Sequence, residues 1–165
     1  MKLTEATLYR IDVPMKQPFL TAHGTVASRE VIIVELKDDA GRQGYGEISA
    51  FSSPFYTEET VETAWYIARK YLLPFLQDKE TLSSVFASIK GHPMAKAGVE
   101  QAWYDLRAKQ QNLSLSEFVG GSRKKVAAGG VISLTGDPVE ELEKVKREGF
   151  QRAKVKVEKA GSGSS

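Results

Sequence analysis

The first third of the chain alternates between apolar and polar positions with a period of two, the signature of strands with one buried face. Leu3 to Val13 alternates loosely and predicts a first strand. Val31 to Leu36 is a β-branched run, DDAGRQG is a turn, and Tyr45 to Ile48 returns, which predicts a hairpin. Together these make a three-stranded antiparallel meander. The stretch VPMKQPFLTAHGTVASRE between the first two strands holds two prolines and a glycine. It reads as a long loop with room for a strand edge. AFSSPFY after the hairpin reads as a second loop.

From Thr57 the period lengthens to that of a helix. Thr57 is expected to cap a helix running to about Leu73, with Glu58 and Glu59 in its positively polarised first turn and Pro74 just past its end. A shorter helix is expected over 80–89. Pro93 suits the first position of a third helix, whose Met94, Ala97, Gly98, Ala102, Leu106 and Ala108 predict a small-residue packing face. Ser114 and Glu117 have capping-box spacing, and Gly120 and Gly121 close that short helix. Trp65, Trp103 and Tyr104 fall within helices and read as packing residues; His92 reads as a cap or loop residue.

After Lys125 the pattern changes. VAAGGVISL reads as a buried strand and FQRAKVKVE as the next. Between them lies a helix with Asp137 as cap, Pro138 first, Glu140 third and Gly149 as stop. Strand, crossover helix and strand make one parallel βαβ unit, and parallel sheets need cover on both faces. The fold class is therefore an α+β domain over 1–125, followed over 126–160 by the opening βαβ of an α/β domain. Residues 161–165, GSGSS, read as a linker or tag remnant.

Composition narrows the function classes. Of 165 residues 41% are apolar and 27% charged, a globular balance. A net charge of +2 with interleaved signs argues against nucleic-acid partners and anionic membranes. The absence of cysteine excludes disulfides, thiolate catalysis and Cys-ligated zinc. With no signal-like N-terminus and no long apolar run, a cytoplasmic location is expected. The glycine pairs in AAGGV and VGGS lack the spacing of a dinucleotide or phosphate loop.

The candidate chemistry lies at the end. Alternation puts Lys154 and Lys156 on one strand face and Val155 and Val157 on the other. Paired lysines on a terminal strand are a common solvated, aggregation-resistant edge. They also suit proton abstraction, because neighbouring ammonium groups repel and one is favoured to give up its proton.

Three stretches in series, GYGEISAFSSPFYTEET, KGHPMAKAGVEQAWYDLRAKQQNLSLSEFVGGSRKKVAAG and GFQRAKVKV, resemble the enolase superfamily. AFSSPFYTEET and MAKAGVEQAWYDL point to its o-succinylbenzoate synthase / N-succinylamino acid racemase branch. The resemblance implies a capping domain of meander plus helical bundle, and then the start of a modified (β/α)7β barrel with Lys154-Val155-Lys156 on its second strand. It implies that Lys156 removes a proton α to a carboxylate while Lys154 assists by charge. It implies Mg²⁺ held by acids on three later strands, an opposing lysine on another, and a small carboxylate substrate. It also implies two loops that shape specificity, with Phe19, Thr21, His23, Gly24 and Arg29 as candidates in the first and Phe51, Pro54, Phe55 and Tyr56 in the second. Prolines and aromatics in such loops serve equally as anchors onto a core, Phe51 and Tyr56 above all.

No metal ligand is assigned here. The expectation is an inactive half-site from a Mg²⁺-dependent dehydratase of menaquinone synthesis, with racemase, epimerase and cycloisomerase parents as alternatives. An alternative of another class is a non-catalytic scaffold fragment that forms homo-oligomers through exposed barrel strands.

Overall fold

The computed structural model describes residues 2–21, 24–76, 82–132 and 137–157. The chain divides into two compact units, Met1–Gly121 and Ser122–Ser165. His23, the start of the expected 80–89 helix, Ser133 to Gly136, Glu158 and the Gly/Ser tail lie outside the described residues.

The first unit opens with an antiparallel sheet in the order β1-β2-β3, formed by β1 (Leu3–Thr21), β2 (Gly24–Asp38) and β3 (Gln43–Ile48). The meander is as expected, but the first long loop is not. Within that stretch, residues 13–21 continue β1 and residues 24–30 begin β2, with Pro14 opposite Ser28, Phe19 opposite Val26 and Thr21 opposite Gly24. A register shift between Pro14 and Phe19 absorbs the irregularity. Prolines are tolerated because β1 is an edge strand, where a missing N–H need not break a ladder.

α1 (Val61–Ile67) begins three residues later than expected. Thr60, not Thr57, is its cap: Thr63 N–H donates to the Thr60 hydroxyl at 3.3 Å, and Thr60 N–H donates to the Thr63 hydroxyl at 2.9 Å. The reciprocal pair satisfies two otherwise orphaned donors, whereas the Thr57 hydroxyl donates to Glu59 O at 3.4 Å and toward Met94 Sδ at 3.7 Å. Glu58 and Glu59 therefore precede the helix. The helix widens into a π turn over Ala68–Leu72 and ends in a 3-10 turn, Leu73–Phe75, with Pro74 inside it. α2 (Leu82–Ser88) is short, and α3 (Pro93–Gln110) begins with its proline as expected. α4 (Leu115–Phe118) carries the Ser114–Glu117 capping box.

The core lies between the sheet and the helices. Ile32, Val34 and Leu36 of β2 alternate inward with Ile48 of β3, and meet Val61, Ala64, Ala68 and Leu72, with Ala95, Val99, Ala102 and Leu106 of α3. Each fully buried Leu or Ile contributes roughly 2 kcal/mol against exposure. Three glycines bring α3 onto β3. A Cβ on Gly44 would lie 2.5 Å from Leu106 Cβ, one on Gly46 would lie 2.6 Å from Ala102 N, and one on Gly98 would overlap Ile48. The small-residue face is thus Ala95, Gly98, Val99, Ala102 and Leu106. Ala97 is exposed, since one residue of helical rotation separates it from Gly98. Trp103 is buried, Trp65 half-buried and Tyr104 partly exposed against Phe118.

The second unit contains β4 (Gly130–Ile132), α5 (Pro138–Arg147) and β5 (Ala153–Val155). β4 and β5 pair in parallel, Gly130 to Ala153, Val131 to Lys154 and Ile132 to Val155. Both strands are shorter than the periodicity suggests. Val126 is 86% exposed and lies outside the ladder.

Candidate functional site

The lysine pair is positioned by the helix that precedes it. Asp137 Oδ1 accepts from Val139 N–H at 2.8 Å, Glu140 and Glu141 occupy the first turn, and Lys144, Lys146 and Arg147 the last, so charges complement the helix dipole at both ends. Gly149, at φ +81°, lets the chain reverse into β5, a conformation that costs a residue with a Cβ. Gly130 N–H donates to Arg152 O at 2.9 Å and Lys156 N–H to Ile132 O at 3.2 Å, which locks the register at both ends.

That register decides which way the lysines face. Val145 of α5 packs on Gly130, where an added Cβ would lie 2.6 Å from a Val145 methyl. Gly130 and Ile132 are buried and Val131, between them, is exposed. Val131 is opposite Lys154. Neighbouring strands share faces, so Lys154 and Lys156 lie on the sheet face turned away from α5, and Lys156 follows immediately on the C-terminal end of β5. Lys154 is exposed and Lys156 half-buried.

The first unit gathers a second group of candidates. The Arg29 guanidinium lies 3.8 Å from the centroid of the Phe51 ring, and its Nη2 donates to Ser49 O at 2.7 Å. Phe51 packs on Phe55 at 4.7 Å and on Tyr56 at 5.9 Å between centroids. A parallel bridge between Phe51 and Thr60 and a 2.9 Å bond from Val61 N–H to Phe51 O close the loop. A small cleft of about 110 Å³ opens here, lined by Val26, Ser28, Arg29, Glu30, Phe51 and neighbouring loop residues. Arg10 pairs with both Glu30 and Glu62, and Ser52 donates to Glu30 at 3.2 Å. The Arg10 hydrogen bond, with help from Ser52, holds the Glu30 carboxyl below the usual range despite partial desolvation.

Arg29, Phe51, Phe55 and Tyr56 are thus brought together, with Pro54 exposed in the same loop. Tyr56 contacts Phe51 and Phe55 while 73% exposed, so it rests on the cluster rather than anchoring it. Backbone pairing places Phe19, Thr21 and Gly24 at the far end of the β1–β2 hairpin.

Two buried acids escape sequence reading. Glu59 is 2% exposed and accepts from Met94 N–H at 2.6 Å and Ala95 N–H at 3.1 Å, so it caps α3 from a distant loop. His92 stands at the cap position itself, at φ 55°, and makes no side-chain cap. Asp38, also 2% exposed, accepts from Ala40 and Arg42 N–H, the Arg42 guanidinium and Gln110. Burial opposes its ionisation, but these donors outweigh it and bring the carboxyl down to about 2. Glu59 had no signal, because its partners lie 35 and 36 positions away.

Among the described residues no three His, Cys, Asp or Glu side chains come together as a metal site. Asp137 serves as the helix cap and Glu140 lies in the helix's first turn. The donor set that Mg²⁺ requires therefore does not fit the described residues.

Residues 4–120 match the N-terminal domain of the mandelate racemase / muconate lactonizing enzyme family. The chain belongs to that family. Among its relatives, o-succinylbenzoate synthase of Bacillus subtilis is 39% identical, over 96% of this chain and 44% of the relative. N-succinylamino acid racemase of Thermus thermophilus is 33% identical, over 95% of this chain and 44% of the relative. The crystal structure of an enolase superfamily member from Listeria innocua superposes with a TM-score of 0.86 at 34% identity, covering 95% of this chain and 44% of that one. This family member thus spans less than half the length of the relatives it matches. Similarity runs past the matched domain to the βαβ unit, and the fold agrees: antiparallel sheet and helices first, a parallel two-stranded unit after.

Proposed function

We propose that the chain carries the proton-abstracting half of an enolase-superfamily site, and that the whole protein acts as an o-succinylbenzoate synthase. The observation that carries this reading is the placement of Lys154 and Lys156 on the face of β5 away from α5, at the strand's C-terminal end. Active sites of (β/α) barrels form at that end. The similarity to o-succinylbenzoate synthases supports the substrate class, a small carboxylate. In this reading Lys156 accepts the proton α to the carboxylate, and the Lys154 ammonium favours the developing enediolate by charge. N-succinylamino acid racemisation begins with the same proton abstraction and is the alternative supported by other relatives.

The test is α-proton exchange in D₂O, with Mg²⁺ and an N-succinylamino acid, followed by NMR. The chain alone is expected to be silent. Supplied with the remaining portion of the Bacillus subtilis relative, it is expected to exchange, and Lys156→Ala is expected to abolish the exchange. Exchange that persists undiminished in Lys156→Ala sinks the assignment.

A second reading, self-association through the barrel strands, is favoured by Val131 at 57% and Val155 at 54% exposure. If it holds, the double variant Val131→Ser, Val155→Ser sediments as a smaller species than the parent chain.

A further inference from the structure

The three-stranded sheet has two outer edges, and the fold treats them differently. The β3 edge is closed by side chains of α3. Tyr45 N–H donates to Asp105 at 2.8 Å, Glu47 N–H to Gln101 at 3.3 Å, and the Lys109 ammonium donates to Gln43 O at 2.9 Å. The β1 edge has no neighbouring strand among the described residues, since the sheet order is β1-β2-β3. Every second residue of β1 directs its N–H and C=O away from β2, and such an edge is a template for another strand.

A groove of about 520 Å³ runs beside that open edge. Ala6, Thr7 and Leu8 of β1 form one wall, and Trp65, Leu73 and Pro74 form much of the other. The remaining lining residue, Arg69, is exposed and has no hydrogen-bonding or ionic partner among the described residues. Apolar walls, an open backbone edge and one lone guanidinium thus meet at one place. Arg favours a carboxylate held in its planar fork.

We infer that the β1 edge and the Trp65–Arg69 groove form a docking site for an extended segment of a partner polypeptide. The segment adds to the sheet as a strand beside β1. On the face turned toward α1 it carries apolar side chains for the Trp65, Leu73 and Pro74 wall and a carboxylate for Arg69. A second copy of β1 does not meet this requirement. Paired about Leu8, its groove-facing positions would be Ala6, Leu8 and Arg10, and the next residue on that face, Asp12, already accepts from the Ser28 hydroxyl.

The test uses the full chain and the peptide acetyl-Thr-Val-Thr-Glu-Thr-Ile-Ser-amide, whose Val, Glu and Ile share one face when extended. Trp65 emission is the readout, since the other tryptophan, Trp103, is buried. A saturable shift is expected, weakened about tenfold when the peptide's alternate amides are N-methylated, because the edge hydrogen bonds are lost. A similar weakening is expected in Arg69→Met, or with Gln for the peptide's Glu, and should fade at high salt. Equal affinity of the N-methylated peptide would make the groove a site for amphipathic carboxylates and overturn strand addition. No saturable change at millimolar peptide would overturn the site altogether. Dimers of the chain that the peptide dissociates would seat a second copy on the edge and overturn the choice of partner.

Discussion

The two units of the chain solve the same problem to different degrees. In Met1–Gly121, sheet and helices close on one core in which the buried acids Glu59 and Asp38 each have several donors. Among the described residues of Ser122–Ser165, two three-residue strands meet one helix, and the buried apolar side chains are Ile132 and Val145, the latter on Gly130. The candidate chemistry sits in the second, thinner arrangement. In the proposed reading the lysine pair is therefore borne by elements that bury little, while most of the buried apolar core lies in the larger unit. This is the stability gradient expected between scaffold and site.

The comparison breaks first if the glycine seat of α3 is not essential. Gly46→Val places branched carbons against the backbone of Gly98 and Ala102, and is expected to cost about 3 kcal/mol of stability by urea denaturation. A loss below about 1 kcal/mol would mean that α3 can lift off the sheet without harm. Next in size is Glu59→Gln, which leaves one of the Met94 and Ala95 N–H groups facing an amide donor. About 2 kcal/mol is expected, with the largest loss of amide protection at the start of α3.

Asp38 supplies a pH signature of the first unit. Its folded carboxyl lies at about 2, below its ordinary 3.8, so its contribution is complete above that ordinary value and is lost as pH falls through about 2. The contribution is on the order of 2 kcal/mol, because the side chain is buried. Asp38→Asn should flatten the acid limb of stability between about pH 4 and pH 2. An unchanged acid limb would remove Asp38 from the account. The smallest effect belongs to the second unit. Val145→Ala is expected to lower amide protection at Ile132 and Lys156 about tenfold, equivalent to about 1.4 kcal/mol.

Local signals in the sequence were sound wherever both partners lie within a turn of each other. Pro93 and Pro138 at helix starts need no partner, the Ser114–Glu117 box spans three positions, and the Asp137 cap reaches Val139, two positions on. The signals failed where a distant partner overrode them. Glu59 reads as a first-turn acid until α3 presents its amides. Pro14 reads as a loop residue until Ser28 of β2 pairs with it. The choice between Thr57 and Thr60 is the exception, being local: Thr63, three positions from Thr60, reciprocates its cap. The alternation of Lys154 and Lys156 was legible for the same local reason. The face they occupy was not, because it depends on Val145 and Gly130. The Arg29–Phe51 stack was beyond reach too, since no periodicity links a hairpin cation to a loop ring.

The seating of α3 on Gly44 and Gly46 has a mechanical consequence. Where side chains separate two elements, rotamer changes cushion a push. Here backbone rests on backbone, and interiors packed to this density transmit strain rather than absorb it. A displacement of α3 along its axis must drag β3 with it, so the 18-residue helix and the six-residue strand move as one rigid beam.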